Sequence, residues 1–339
     1  MYLFPVVRYR SAWCSRAALV SLVITAGLLL QPTIKGDALA ADKYPSKPIT
    51  ILVGFAVGGG ADTAARLQGD SLSKILGVPV TVKNVPGAGG RNAVTLLERA
   101  EPDGYTMASI NIPGQVVNQS VRGMKPDLRK FVWIGRQVSQ RYFIQASKKS
   151  GIQSLADLKK RKEPVKAGIT GTGGNTFPIS VIATEIVGYP VRFVPGFTGP
   201  ELITAIIRGD IDITTIPLLT PFISAVEKGD AAALAIYGPG KHPLWPDIKT
   251  GDEVGFPELT QDALVGENLY GLPPGTPAAI AQTLEQALTK ALADETVVKK
   301  VESNGNLVRP LTGKQGGQLL EDMINLVDKH KTLLKKYVK

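Results

Sequence analysis

A two-lobed α/β fold is predicted by two observations. From Ile49 to Tyr237, short β-branched runs alternate with helical apolar patterns. Two of these units, roughly a hundred residues apart, have the same make-up: strand, glycine loop, helix. In the first, Ile49 to Val53 leads through Gly58-Gly59-Gly60 into a helical pattern at Asp62. In the second, Val165 to Ile169 leads through Gly171-Thr172-Gly173-Gly174-Asn175-Thr176 into a helical pattern ending near Val187. Glycine lets backbone approach a ligand, and the first amides of a helix have no partner within it, so each unit can hold an anion. Two such loops suggest two lobes, each offering one jaw to a single ligand.

The elements follow in order. Strand 49–53 precedes helix 62–76, with Asp62 as N-cap or first-turn acid and Gly77 as stop, then strand 78–82, a Gly-rich turn, helix 91–100 and strand 106–110. This first series reads as a doubly wound parallel sheet. The second has helix 155–162, strand 165–169, a helix to 187, strand 191–194, helix 200–208, strand 211–216, a helix to 228 and strand 233–237. Residues 238–257 read as a Pro- and Gly-rich linker with a short helix, and the chain after Pro277 as mostly helical. A β-type run at 137–146 and the segment after Tyr237 would cross twice between the lobes and form a hinge.

The first forty residues read as a secretory signal peptide. Arg8, Arg10 and Arg16 form its basic region, residues 17–30 its apolar region, and Ala38-Leu39-Ala40 its cleavage signal, so export to the periplasm with cleavage near Ala40 is expected. The rival reading, an uncleaved anchor, needs about 20 apolar residues, more than this run supplies. Cys14 precedes the apolar region, where a lipidated cysteine would follow it, and it is the only cysteine of the chain. The mature protein must therefore be held together by packed cores.

Net charge is +10, and removing residues 1–40 leaves about +7. A basic balance suits anionic partners. Dispersed lysines, few aromatics and an export signal argue against nucleic acid. The basic run around Lys329, Lys331, Lys335 and Lys336 sits on an amphipathic helix with Leu326, Val327, Leu333 and Leu334 as its apolar stripe, which reads as a solvated helix face. The turn Asn84 to Gly90 serves structure as readily as ligand. Dinucleotide fingerprints fail, since glycine is missing at Asn92 and Thr176, and neither Gly240-Lys241 nor Gly313-Lys314 completes a phosphate loop. Catalysis finds little support. His242 and His330 are expected at the surface, Asp210 and Asp212 flank a turn, and no nucleophile elbow or metal-ligand spacing occurs.

In order along the chain, Tyr44 to Ile49, Phe55 to Asp62, Asn84 to Gly90, Pro102 to Thr106, Val194 to Pro200, Gly209 to Asp212 and Pro274 to Pro277 resemble the motifs of the Bug-type periplasmic solute receptors of tripartite tricarboxylate transporters. The resemblance implies a periplasmic-binding-protein (Venus-flytrap, type II-like) fold, each lobe a mainly parallel sheet with flanking helices. Residues 41–145 and 240–339 would form lobe 1 and residues 146–239 lobe 2. It implies a monomeric, non-enzymatic receptor without cofactor or metal that binds a small organic acid and delivers it to membrane permease subunits. A sensor of the same ligand is the alternative, and an enzyme reusing the cleft a weaker one. By position, the ligand residues would be Phe55, Gly58, Gly59, Asp62 and Asn111 from the first lobe, and Thr172, Gly173, Gly174, Asn175, Thr176, Phe197, Thr198 and Gly199 from the second. Val57, Gly174, Phe177 and Phe197 stand where the family commonly has proline, a hydroxyl residue, histidine and tyrosine. These departures remove polar groups from the expected pocket and suggest a carboxylate with a more apolar body.

Overall fold

The computed structural model describes residues 44–218 and 220–338, so the expected signal segment and Cys14 lie outside the described residues. The elements run β1 (Ile49–Val53), α1 (Gly60–Leu76), β2 (Val80–Asn84), α2 (Arg91–Glu98), β3 (Thr106–Asn111), α3 (Ile112–Ser120) and β4 (Val132–Ser147). Then come α4 (Leu155–Lys159), β5 (Val165–Gly168), α5 (Thr176–Val187), β6 (Val191–Val194), α6 (Gly199–Arg208), β7 (Ile213–Pro217), α7 (Thr220–Glu227) and β8 (Ala231–Ile236). The chain closes with β9 (Val265–Leu272), α8 (Ala278–Ala293), α9 (Glu295–Glu302), β10 (Asn306–Leu307), α10 (Gly313–Lys329) and α11 (Lys331–Tyr337).

One long strand organises the sheet into two halves. Residues Val132 to Arg141 of β4 pair antiparallel with β9, and Ser139 and Gln140 also meet β10. From Tyr142 onward the same strand pairs with β7 and β8. The first half thus runs β2-β1-β3-β9-β4 and the second continues through β7-β5-β6. Each half keeps a parallel trio, β2-β1-β3 and β7-β5-β6, as the alternating α/β pattern demands. β8, β9 and β10 all pair antiparallel with β4, and β9 and β4 are the strands that carry the chain back toward or across the middle. β9 is buried along its whole length, so it lacks the apolar-polar alternation that marks a half-exposed strand.

Other differences have local causes. α3 begins Ile112-Pro113-Gly114, a loop-like sequence, yet proline in the first turn suits a helix start because its missing N–H would have no partner there. The C-terminal helical run breaks at His330, and α11 turns back to pack on α5. There Tyr337 meets Phe193 edge-on at 5.1 Å, and Phe193 meets Phe177 at 6.1 Å. Val327 and Leu334 are buried and Leu326 and Leu333 partly so, as the apolar stripe required.

Separate cores fill the two halves. Ile49, Ile51 and Val53 pack on Leu284 and Leu288 of α8 in the first, while Phe143, Leu202, Ile216 and Phe222 form part of the second. A third cluster joins them, with Val116 and Val117 of α3 against Phe177 and Val181 of α5.

The crossing itself is built on Arg141, the largest fully buried side chain. Its guanidinium donates to the carbonyls of Tyr237, Pro239 (2.6 Å), Gly238 (2.8 Å) and Gly240 (3.0 Å), lashing the strand to the segment that leaves β8. Beside it, His242 is fully buried, contrary to the surface position expected from its Pro-rich surroundings. Its Nδ1 accepts from Leu244 N at 3.1 Å, so the neutral ring carries its proton on Nε2. Burial, then the neighbouring Arg141 charge, pulls its pKa down to about 4.

Two outcomes are expected. Arg141→Met strands the buried carbonyls of Tyr237 and Gly238 and frees those of Pro239 and Gly240, and should lower the unfolding free energy by at least about 2 kcal/mol in urea titrations, with Arg141→Lys recovering only part. For His242, the unfolded chain takes up a proton near pH 6.5 that the folded chain refuses until about 4. Its contribution to stability is therefore intact above that range and lost as pH falls through it. Stability measured against pH should fall less steeply on acidification in His242→Asn than in the parent.

Candidate functional site

β1 ends in the loop Gly54 to Gly59, and the shape of that loop is set from behind by Asp62. The Asp62 carboxylate, 2% exposed, accepts from Gly58 N (2.9 Å) and Asn84 Nδ2 (2.9 Å) and pairs with Arg66 (2.9 Å). Asn84 Nδ2 also donates to the Phe55 carbonyl at 3.0 Å. Burial alone would raise the Asp62 pKa, but hydrogen bonds from Arg66, Gly58 and Asn84 outweigh it and hold the carboxyl below the usual carboxylate range. Asp62 is thus a strut of the loop, and the structure places it outside the cavity lining. With its charge matched by Arg66, the loop can turn α1 toward the cleft. α1 starts at Gly60 after Gly59 with no side chain capping it, so its first amides are free.

The second loop is built by different means. Thr170 and Thr176 hydroxyls meet at 2.8 Å across the glycines, and Asn175 turns its Oδ1 to Gly114 N (3.0 Å) and Asn111 Nδ2 (3.3 Å) in the first half. Asn111 also donates to the Gly173 carbonyl at 3.2 Å, and Arg122 Nη1 donates to Thr172 Oγ1 at 2.7 Å. Gly89, at φ +65°, packs its Cα directly on Gly173; a side chain there would collide with the Gly173 backbone. Asn111, Thr172 and Gly173 therefore form a seam between the halves, beside the cavity rather than in its lining. α5 also begins without a side-chain cap.

The third helix start differs. At α6, Thr198 Oγ1 accepts from Glu201 N (3.4 Å) and Glu201 Oε2 accepts from Thr198 N (2.7 Å), a complete capping box.

Between these loops lies a cavity of about 610 Å³, within the size range of small-molecule sites. Of the residues the family resemblance suggested, Phe55, Gly58, Gly59, Gly174, Asn175, Thr176, Phe197, Thr198 and Gly199 line it. Its floor comes from strands. Gln140 and Tyr142 of β4, Ile216 and Pro217 of β7 and Asn268 of β9 face it, with Leu202 and Phe222 behind. Gln140 is held by Asn306 Oδ1 at 2.8 Å, whereas the Asn268 Oδ1 meets no partner although the residue is 2% exposed. The turn Pro86 to Gly89 also lines the cavity and so serves both ligand space and seam.

Among the described residues no charged side chain belongs to the lining. Positive potential is supplied by backbone, from the open starts of α1 and α5, each able to favour an anion by about 0.3–1 kcal/mol, or up to about 2 when partly buried. Among the described residues no group of His, Cys, Asp and Glu is arranged to hold a metal ion. Gln140 and Tyr142 were legible in principle, because alternate residues of the expected 137–146 strand share a face. Asn268 was not, since the sequence pattern left its strand unrecognised.

Residues 64–337 match the family model described as tripartite tricarboxylate transporter family receptor. A UPF0065 protein encoded in the TAR-I ttuE-ttuC' intergenic region of Agrobacterium vitis is 30% identical over 85% of this chain and 82% of its own. A solved structure described as a periplasmic transporter shares 27% identity with TM-score 0.76, covering 87% of this chain and 98% of that one. MatC from Rhodopseudomonas palustris with bound malate superposes with TM-score 0.75 at 24% identity, covering 86% of this chain and 100% of its own, and shares the two-lobed fold. By the extent of the family match and the identity to its curated relative, the chain belongs to the tripartite tricarboxylate transporter receptor family.

Proposed function

We propose that this chain is an exported solute receptor that captures a small organic acid between its two halves and presents it to the membrane permease subunits of a tripartite transporter. The observation that carries the reading is the pair of uncapped helix starts, α1 and α5, opening onto one cavity free of charged side chains. A carboxylate seated between them receives hydrogen bonds from the backbone amides that follow Gly59 and from the Thr176 amide, the one left free in the first turn of α5 because Phe177 N donates to the Gly174 carbonyl (3.3 Å) and Pro178 has no N–H, without the desolvation cost of a buried arginine. Phe55, Gly58 and Gly174 complete the cradle, and the Thr176 hydroxyl adds a donor. Asp62, Asn111, Thr172 and Gly173 act one layer back, by shaping the loops and closing the seam. Malate in the related MatC is consistent with an acid ligand.

Ligand contacts on both halves would favour a closed arrangement about β4, and the permease would recognise that form. Removal of residues 1–40 during export would leave a monomeric receptor in the periplasm. An enzyme is the weaker reading. Tyr142 is the one lining residue with a titratable side chain, and burial raises its hydroxyl well above the ordinary phenol value, leaving no acid or base tuned to neutral pH.

Native mass spectrometry of the mature protein purified from the periplasm should show a co-purified organic acid, and calorimetry with that acid should give a single site. Gly59→Val is the discriminating variant. Gly59 has ordinary backbone angles (φ −74°, ψ 163°), and an added Cβ would come no closer than 3.5 Å to the Ala56 carbonyl. The variant should keep its melting temperature while losing at least about tenfold in affinity, roughly 1.4 kcal/mol. Undiminished binding by a folded Gly59→Val protein would remove the first loop from the site.

A further inference from the structure

We infer that the cavity is built for an acid with one charged end and an apolar body, a monocarboxylate of medium aliphatic or aromatic size, and that Glu201 excludes a second carboxylate. The inference rests on the receptor reading above and adds the chemistry of the ligand's far end. Three helix starts border the cavity, and they are not equivalent. α1 and α5 begin without a side-chain cap, whereas the start of α6 is already occupied by a carboxylate of its own.

At α6 little remains to bind an anion. Thr198 N and Glu201 N are taken by the capping box, Pro200 has no N–H, and only Gly199 N is left; α5 likewise keeps only Thr176 N in its first turn, so what sets α6 apart is the Glu201 carboxylate already seated there. The Glu201 charge opposes the helix dipole at this end and would repel a second carboxylate drawn toward Thr198 and Gly199.

The wall next to that start is apolar. Leu202 and Ile216 are fully buried and Phe222 nearly so, all within the core of the second half, with half-buried Phe197 packed against them. The cavity therefore opens onto the edge of a hydrophobic core. A methylene chain or ring laid on this wall gains by leaving water, while a second carboxylate would be desolvated there without a cationic partner. Asn268, 2% exposed and with its Oδ1 unpartnered, also faces the cavity. Its amide can turn either end toward a ligand, which marks the space as a polar-headed site and not merely a packing defect.

The test compares hexanoate with adipate, acids of equal chain length that differ by the second carboxylate, with 3-phenylpropanoate, malate and citrate completing the set. Calorimetry on the mature parent protein at pH 7.5 should show hexanoate or 3-phenylpropanoate binding at least tenfold tighter than adipate. Glu201→Gln keeps an oxygen to accept from Thr198 N but removes the charge. It should raise adipate affinity severalfold and leave hexanoate unchanged. Phe222→Ala should weaken hexanoate severalfold, with near-ultraviolet circular dichroism confirming a native fold. Tighter binding of adipate, malate or citrate by the parent would overturn the inference and leave the receptor reading standing. An unchanged hexanoate-to-adipate ratio in Glu201→Gln would overturn the role of Glu201, and failure of every acid in the set to bind would overturn both readings.

Discussion

The guanidinium of Arg141 lies where the chain passes between the two halves of the molecule, and it faces four backbone carbonyls from Tyr237 to Gly240. Those carbonyls belong to an irregular, glycine-containing segment that no sheet partner can satisfy. The buried acceptors of Tyr237 and Gly238 must find donors, and one planar, charged group with five N–H bonds serves them together with those of Pro239 and Gly240. The arginine's own backbone continues the arrangement, since its carbonyl accepts from Leu218 N at 2.7 Å. The next residue, Tyr142, accepts from Tyr237 N at 2.7 Å. The outgoing strand β4 and the returning segment are thereby held side by side. The glycine loops of the two halves consequently face one another across a cleft, and the position of the site follows from this crossing.

Around the cleft, charge and hydrogen bonding are assigned to different layers. Asp62 and Arg66 neutralise one another behind the first loop with Asn84 bridging them by hydrogen bonds, and Asn111, Gln115 and Asn175 are spent on the seam. The cavity itself is left to backbone amides, a few polar groups and an apolar wall. In the proposed reading such a site would attract an anion without burying a cation that would need a partner whenever the site is empty. Under the proposed function, the positive balance of the chain as a whole would act at longer range, raising the encounter rate with an acid.

Much of this was legible in the residues. Strand β1, its glycine loop, the helix behind it and the matching unit at Val165 to Val187 follow from composition and period, because each is a local pattern of side chains. Ordered motifs along the chain identified the family. The less visible elements were those whose sequences are ambiguous without their neighbours. β9 carries two glycines and a Glu-Asn pair inside a buried strand, and α3 opens with Pro113-Gly114. His242 reads as a surface residue in a proline-rich linker until the packing beside Arg141 covers it.

By itself, then, the sequence determined the alternation of strand and helix and the two glycine-led helix starts, since each depends on residues within one or two turns of one another, and its single cysteine excluded any disulfide framework within the chain. Tertiary structure alone decided which side of each loop meets the cavity. It turned Asp62 inward as a strut, set Asn111 and Thr172 into a seam, and brought Gln140, Asn268, Ile216 and Phe222 from four separate elements to one wall. The physical reason is that burial and hydrogen-bond partnership are pairwise properties across long chain separations. The same carboxylate or amide serves loop, seam or ligand according to which distant donor and which apolar surface the fold sets beside it.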